Sequence, residues 1–406
     1  MFEYILPFLP MLAGFSFHSV GLDFVAMGIL ALITIGQKNY KIKILRTLYP
    51  FILFFSYAIL KDIIIILFGP SDTSESFHKL IAMLAYMAVF IVLASRAFDQ
   101  KKFYKGLKFA STFYMVGLVY HLVLIYVFNL PAKGISIIPG YQFTNENQLN
   151  RPRSFFSEPA ILATAMLPIL FYSLYKKDYK WAIPATITII LSTSTTGVIL
   201  ACVLWVIQFL FSKNIKGQYK ISIVIFMSVI AAFFWQWQFS IDAVRKVRDT
   251  LSGGGSTSVR VFLGFDLIHY MNPAYWVFGS LYNVPYDYAA QSIGLFPTGS
   301  YIRHIVELGS GQFFINTFCL IIFRYGLVGM ILYFNVYKKK ILNCEYTGQA
   351  FAIMTIVETV GDTMLLNSYY FFVMLMLVML EKEGKEKVHE GNAYRVRSWK
   401  PNAGLL

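Results

Sequence analysis

The sequence predicts an all-α polytopic membrane protein, and three observations carry that expectation. Of the 406 residues, 57% are hydrophobic and 14% charged, and the mean hydropathy is +0.59; a soluble domain carries about 25% charge. The apolar residues arrive in blocks close to the roughly 20 residues that a helix needs to cross a bilayer. Between the blocks lie short loops rich in lysine and arginine.

The apolar blocks give twelve expected spans: 4–17, 20–36, 47–68, 78–95, 108–130, 158–175, 181–192, 195–211, 221–237, 312–336, 348–360 and 366–380. The first follows Glu3 instead of a basic segment and lacks a small-x-small cleavage pattern, so it reads as a retained span and not as a removable signal. With the N-terminus cytoplasmic, the basic clusters at 38–46, 96–108, 176–180, 213–220 and 338–340 all fall in the cytoplasm. That is the positive-inside pattern, and it accounts for the net charge of +14 without nucleic acid. Residues 1–380 are expected to form one membrane unit, and 381–406 a charged, disordered cytoplasmic tail. Cys202, Cys319 and Cys344 have neither disulfide-framework nor zinc-like spacing.

The same arrangement leaves two long loops on the outer side, 131–157 and 238–311. Loops beyond about 15 residues are usually functional or disordered, and the second is too rich in Tyr, Trp and Phe for disorder. Within it, "VRVFLGFDLIHYM" (259–271) has helical apolar spacing suited to a membrane surface, and "SGGGS" (252–256) reads as a hinge.

Eight of the 35 basic residues face outward in this arrangement: Lys133, Arg151, Arg153, Arg245, Lys246, Arg248, Arg260 and Arg303. Arginine outnumbers lysine there, whereas lysine dominates inside. A guanidinium keeps its charge and pairs bidentately with phosphate, so the inversion points to an anionic ligand at the interface. Contacts with lipid headgroups, or pairing with the loop acids Glu146, Asp242 and Asp249, remain the alternative.

Glu158 stands at the mouth of the sixth span, before Pro159, in "NRPRSFFSEPAILATAM" (150–166). The helix dipole favours a carboxylate there. It reads equally as a capping acid paired to Arg151 or Arg153, or as a carboxylate that orients an arginine or accepts a proton. His304 is a candidate base or a structural histidine. Arg324 lies inside an apolar span, where charge is costly and often functional. Lys61–Asp62 and Asp23 read as buried or interfacial pairs, and "STSTTG" (192–197) as a tight turn whose hydroxyls bond freed backbone groups. No P-loop, no acidic DxD-like pair in an outer loop, no His/Cys cluster and no Gly-x-Ser-x-Gly elbow is present, which disfavours metal-dependent or nucleotide-driven chemistry. No cofactor is expected. Aromatic rings in the loops suit the faces of sugars and the membrane interface.

"RPRSFFSEPAILAT" resembles the Arg-x-x-x-(Phe)-x-Glu-Pro segment of bacterial O-antigen and capsule repeat-unit polymerases of the Wzy type. "LSTSTTGVI" resembles their Ser-rich turn, and "GSGQFFINTFCLIIFRYGLVGM" their late segment with Asn and Gly-Leu-x-Gly. The resemblance implies a GT-C-like membrane glycosyltransferase with about 12 spans. It would join undecaprenyl-diphosphate-linked oligosaccharides on the outer face of the bacterial plasma membrane, alongside a flippase and a chain-length regulator. By position, Arg151 and Arg153 would hold a diphosphate, and Glu158 would orient them or the acceptor. Arg260 with Arg245 or Arg248 would supply the second loop's contacts, with Arg303 nearby. The family's late His or Asn finds its nearest matches in His304 and Asn316. An O-antigen ligase or oligosaccharyltransferase-like enzyme, with the same donor and another acceptor, stays open, as does a polysaccharide transporter or flippase.

Overall fold

A computed structural model describes residues 2–17, 20–37, 46–70, 73–96, 99–131, 135–136, 151–210, 256–298, 300–307, 309, 313, 315–343, 346–361 and 369–382. Apart from a two-residue antiparallel pairing of Ser16–Phe17 with Val20–Gly21, every regular element there is helical. In chain order the helices are α1 (Phe2–Leu12), α2 (Leu22–Gln37), α3 (Tyr49–Phe68), α4 (Thr73–Ser95) and α5 (Gln100–Tyr126). Next come α6 (Pro159–Tyr175), α7 (Tyr179–Leu191), α8 (Thr195–Leu210) and α9 (Ser256–Tyr270). Short α10 (Tyr275–Phe278), α11 (Pro285–Gln291) and α12 (Tyr301–Glu307) lead to α13 (Thr317–Asn343), α14 (Tyr346–Gly361) and α15 (369–382).

Among the described residues, four helical stretches are long and apolar enough to cross a membrane: Arg46–Phe68, Ser76–Ser95, Gln100–Tyr126 and Thr317–Lys338. Their outward faces are bare hydrocarbon. Leu53, Leu67, Val116, Val119 and Ile331 are all exposed, with Ile331 at 68%. Hydrocarbon on that scale belongs in lipid, so the protein is a membrane-embedded helical bundle. The remaining apolar segments form shorter helices, and the expected span 221–237 lies outside the described residues.

Local chemistry sets the helix boundaries. Pro50 and Pro159 occupy first-turn positions, where a missing N–H costs nothing. Asp99 caps α5 by accepting the Lys102 N–H at 3.1 Å. That start lies eight residues before the expected 108, because the basic residues 101–108 continue the helix beyond the apolar run. The first apolar block is not one regular span. Pro7 and Pro10 break it into short helical pieces that end at Leu12.

α6 is the central helix, buried on nearly every side, as expected of a helix that is apolar all round. It packs on α5, α7 and α8. In lipid no hydrophobic force drives helices together, so close packing does the work. Gly197 of α8 shows this: a Cβ there would collide with the Cβ of Ala163 on α6. α15 is equally enclosed, with Phe371 stacked on Tyr86 of α4 at 4.8 Å.

α13 is broken at Gly326, whose φ of +65° and ψ of −168° lie outside any helix. The break is filled by α10 and the residues after it. The Ser280 N–H donates to Phe323 O at 2.7 Å, and the Tyr57 hydroxyl to Tyr325 O at 3.0 Å. Gly279, at φ +83°, lies backbone against backbone on Arg324, where a Cβ would collide with the Arg324 carbonyl. Lys61 donates to Gly279 O at 3.1 Å. The expected Lys61–Asp62 pair is therefore not the pair that forms: Asp62 instead bonds Arg324 at 2.9 Å, both side chains buried. Successive residues on a helix point apart, so Asp62 reaches α13 while Lys61 reaches the loop.

Candidate functional site

Residues 151–158 approach α6 along the side of α5, and their sequence explains how they are held. Phe155 stacks on Phe113 at 4.2 Å and Phe156 packs edge-on against Tyr114 at 4.9 Å. Between those rings Ser154 sits in the left-handed region at φ +55°, and its hydroxyl donates to Tyr114 O at 2.9 Å. Gly117 leaves the room this needs, because a Cβ there would strike Ser154 Oγ and the Phe155 ring.

His121 completes the clamp. Fully buried on α5, it presents Nδ1 to two backbone donors, Arg153 N–H at 3.3 Å and Ser154 N–H at 3.0 Å. An Nδ1 that accepts must carry no proton, so this ring is the neutral form protonated at Nε2. A lone histidine in the apolar run "MVGLVYHLVLIY" was the only trace of this in the sequence, and nothing there ties it to a segment some thirty positions later.

Arg153 is 2% exposed, and its guanidinium donates to Ser157 O at 3.0 Å. Burial lowers its pKa, and the nearby Glu158 carboxylate works the other way, in favour of the charge. Glu158 is the N-cap residue of α6 in position, but its side chain makes no capping hydrogen bond. Of the expected capping acid paired to an arginine, the cap hydrogen bond does not form, and the charge relation to Arg153 fits either reading of Glu158.

Arg151 reaches a different element. Its Nε donates to the Thr193 hydroxyl at 3.4 Å and its Nη2 to Thr193 O at 3.2 Å. Thr193 is the apex of the serine-rich turn between α7 and α8, at φ +59°. The hydroxyls around it bond backbone as expected: Ser192 donates to Ile189 O at 2.7 Å, and Ser194 accepts the Gly197 N–H at 3.2 Å. The Arg-x-Arg segment, Glu158 and the serine-rich turn therefore meet at one place. The partly exposed Arg151, beside the hydroxyls of the turn, brings to this place a guanidinium of the kind that pairs with phosphate, while Arg153 is buried against the Ser157 carbonyl.

The candidates of the second loop are held differently. Arg303 is paired with Glu307 of its own helix at 2.8 Å, and His304 beside it is exposed. Asn316 is fully buried, and its Oδ1 accepts the Cys319 N–H at 2.8 Å, which caps α13. Its amide also lies against Gly264 of α9, one turn beyond Arg260. Arg260 falls within α9, while Arg245, Arg248 and the SGGGS segment up to Gly255 lie outside the described residues. Among the described residues no three His, Cys, Asp or Glu side chains converge on a metal position. Compared with protein-family models and with curated proteins, the chain matches none.

Proposed function

We propose that the chain is a metal-independent membrane glycosyltransferase that polymerises undecaprenyl-diphosphate-linked oligosaccharide units into O-antigen, capsule or exopolysaccharide. Its site would face the outer side of the bacterial plasma membrane, within a GT-C-like fold. The observation that carries this reading is the meeting of Arg151, Arg153 and Glu158 with the Thr193 turn at the mouth of α6. The acceptor hydroxyl attacks the anomeric carbon of the growing chain, and the bond to the diphosphate oxygen breaks. The lipid diphosphate leaves with the electron pair, and the hydroxyl proton passes to a base. Arginines that neutralise the leaving diphosphate supply electrostatic stabilisation where charge builds up. Glu158 keeps Arg153 oriented, and His304 remains the candidate base. Arg260 with Arg245 or Arg248, and Arg303 and Asn316 with them, would serve the acceptor side.

Purified protein given synthetic lipid-diphosphate repeats in EDTA is expected to build a ladder of products. Arg153→Ala and Glu158→Ala should each reduce it by about a hundredfold or more, the scale of losing one preorganised electrostatic group. A strict requirement for a divalent metal would overturn the mechanism, and full activity in Arg153→Ala would overturn the residue assignment.

One observation favours the transporter reading: the break in α13 at Gly326 lies beside Lys61, Asp62 and Arg324, and broken helices with intramembrane charge mark transport sites. Against it, Ser280, Tyr57 and Lys61 fill the break and Asp62 neutralises Arg324. Movement of a lipid-linked glycan across vesicles without any ladder would favour transport instead.

A further inference from the structure

We propose that the lysine-bearing start of α5 and the turn between α6 and α7 form a binding site for the headgroups of anionic diacyl phospholipids, at the end of the bundle opposite the arginine clamp. Residues 99–108 and 176–180 carry seven lysines against two acids, Asp99 and Asp178. Each acid already holds one lysine: Asp99 lies 3.3 Å from Lys102, and Asp178 lies 2.6 Å from Lys108. The two segments therefore keep an excess of positive charge, and Lys101, Lys105, Lys177 and Lys180 are exposed. Positive charge in a loop is enough to orient a span, but here it is also held in a fixed shape.

Three features fix that shape. Lys101, Lys105 and Lys108 recur every three or four residues, so they share one face of α5, and the helix makes a ridge of them. Lys108 joins this ridge to the turn through Asp178, with its ammonium 4.3 Å from the centre of the Tyr104 ring and 5.4 Å from that of Trp181. The turn itself is a Schellman close of α6: the Asp178 N–H donates to Ser173 O at 2.8 Å, and the Lys177 N–H to Leu174 O at 3.1 Å. Its left-handed position is taken by Lys177, at φ +57°, where glycine is the unstrained choice. A side chain kept there against strain argues for a use of its charge. Beyond the lysines the same helices turn to hydrocarbon, with Phe109 of α5 and Ile183 and Ile187 of α7 each exposed by half or more. Tyr179 and Trp181 stand between the turn and that hydrocarbon, as aromatic residues do at a membrane–water boundary. Ammonium groups, aromatic rings and apolar flanks thus follow the order of phosphodiester, glycerol and acyl chains in a phospholipid. An acidic protein fits less well, because the lysines border directly on lipid-facing hydrocarbon.

The test uses the full chain in phosphatidylcholine nanodiscs that contain a small fraction of phosphatidylglycerol with a diazirine near its headgroup. Phosphatidylcholine carrying the same diazirine is the control. The anionic lipid is expected to label residues 101–109 and 176–183 about tenfold more than the control, the scale of two lysines at an anionic surface. Lys177→Gly removes a charge without straining the turn, so the preference should fall about fivefold while the melting temperature does not fall. Lys105→Gln/Lys177→Gly/Lys180→Gln should abolish the preference, and Lys105→Gln alone should cost about fivefold if the triple variant fails to insert. Lys338→Gln, at the end of another apolar stretch, should leave it unchanged. Equal labelling by the two lipids would overturn the proposal. A preference that survives the triple variant, or that falls as far in Lys338→Gln, would reduce the site to diffuse charge and do the same. Protection of the lysines by a polyglutamate peptide, with no preference between the lipids, would assign the patch to an acidic protein and also overturn it. None of these measurements depends on sugar transfer at the other end of the bundle.

Discussion

Two stretches of irregular backbone are pressed against the helices of this protein, and both bring arginine with them, yet they differ in how the charge is met. At the α13 break, Arg324 closes on the Asp62 carboxylate at 2.9 Å, and Lys61 is tied to the Gly279 carbonyl. At the mouth of α6, Arg151 is anchored through the neutral oxygens of Thr193, and Arg153 through the Ser157 carbonyl. Asp62 and Arg324 cancel inside the bundle, which makes them a structural joint. Anchoring by neutral oxygens positions an arginine, and at Arg153 the nearby Glu158 carboxylate acts beside that anchor in favour of the charge. The two regions thus differ in geometry: Arg324 closes directly on a carboxylate, whereas Arg151 and Arg153 also lean on neutral oxygens of a turn and a loop.

The sharpest way to break this contrast is to remove the partner. Asp62→Leu removes the carboxylate on which the buried Arg324 closes, and breaking such a pair costs about 3–5 kcal/mol. The double variant Asp62→Leu/Arg324→Met replaces the pair with hydrocarbon and should recover most of that loss. Thermal unfolding in a neutral detergent, followed by tryptophan fluorescence, reads both. Equal destabilisation in the single and double variants would show that Arg324 does more than balance Asp62.

A more local effect is expected at His121. His121→Leu deprives the Arg153 and Ser154 N–H groups of their acceptor, at about 1–3 kcal/mol for each buried donor left unmet. His121→Asn places an amide oxygen close to the position of Nδ1 and should restore most of the hold, which a role in packing alone would not predict. Hydrogen exchange at residues 153 and 154 measures the hold directly, and the product ladder measures its consequence. Exchange that is unchanged in His121→Leu would show that the aromatic clamp alone positions the arginines.

Much of the helical layout was legible because apolar blocks and basic loops are chemistry that any single sequence displays. The ends were less so. The apolar run could not reveal that α5 continues back to Gln100 through lysines, nor that Pro7 and Pro10 break the first block. The Arg-x-Arg segment and the serine-rich turn were each visible by themselves, but their meeting through Arg151 and Thr193 is a tertiary contact without sequence periodicity. Lys61–Asp62 misled for a related reason: neighbours in sequence look like a pair, and helix geometry sends them to different partners. His121 was invisible because an acceptor for backbone groups needs no second residue of special type.

The mildest perturbation lies at the opposite ends of α5 and α6 from the arginine clamp, and it separates stability from the site. There Asp178 accepts from Lys108 Nζ at 2.6 Å and from the Tyr104 hydroxyl at 2.9 Å. The lysine's hydrogen bond holds the Asp178 carboxyl below the usual range despite partial burial, with help from Tyr104. A depressed carboxyl pKa adds stability above the unfolded value of about 3.9 and loses it as pH falls through the folded value. Asp178→Asn should therefore cost at most about 1 kcal/mol at neutral pH, since the pair is partly solvated. The melting curves of the variant and the parent should converge as the pH drops below about 4. At neutral pH the same variant should keep its full product ladder, because the arginines, His121 and Thr193 are untouched. Loss of the ladder with little loss of stability would join the two ends of α5 into one working unit.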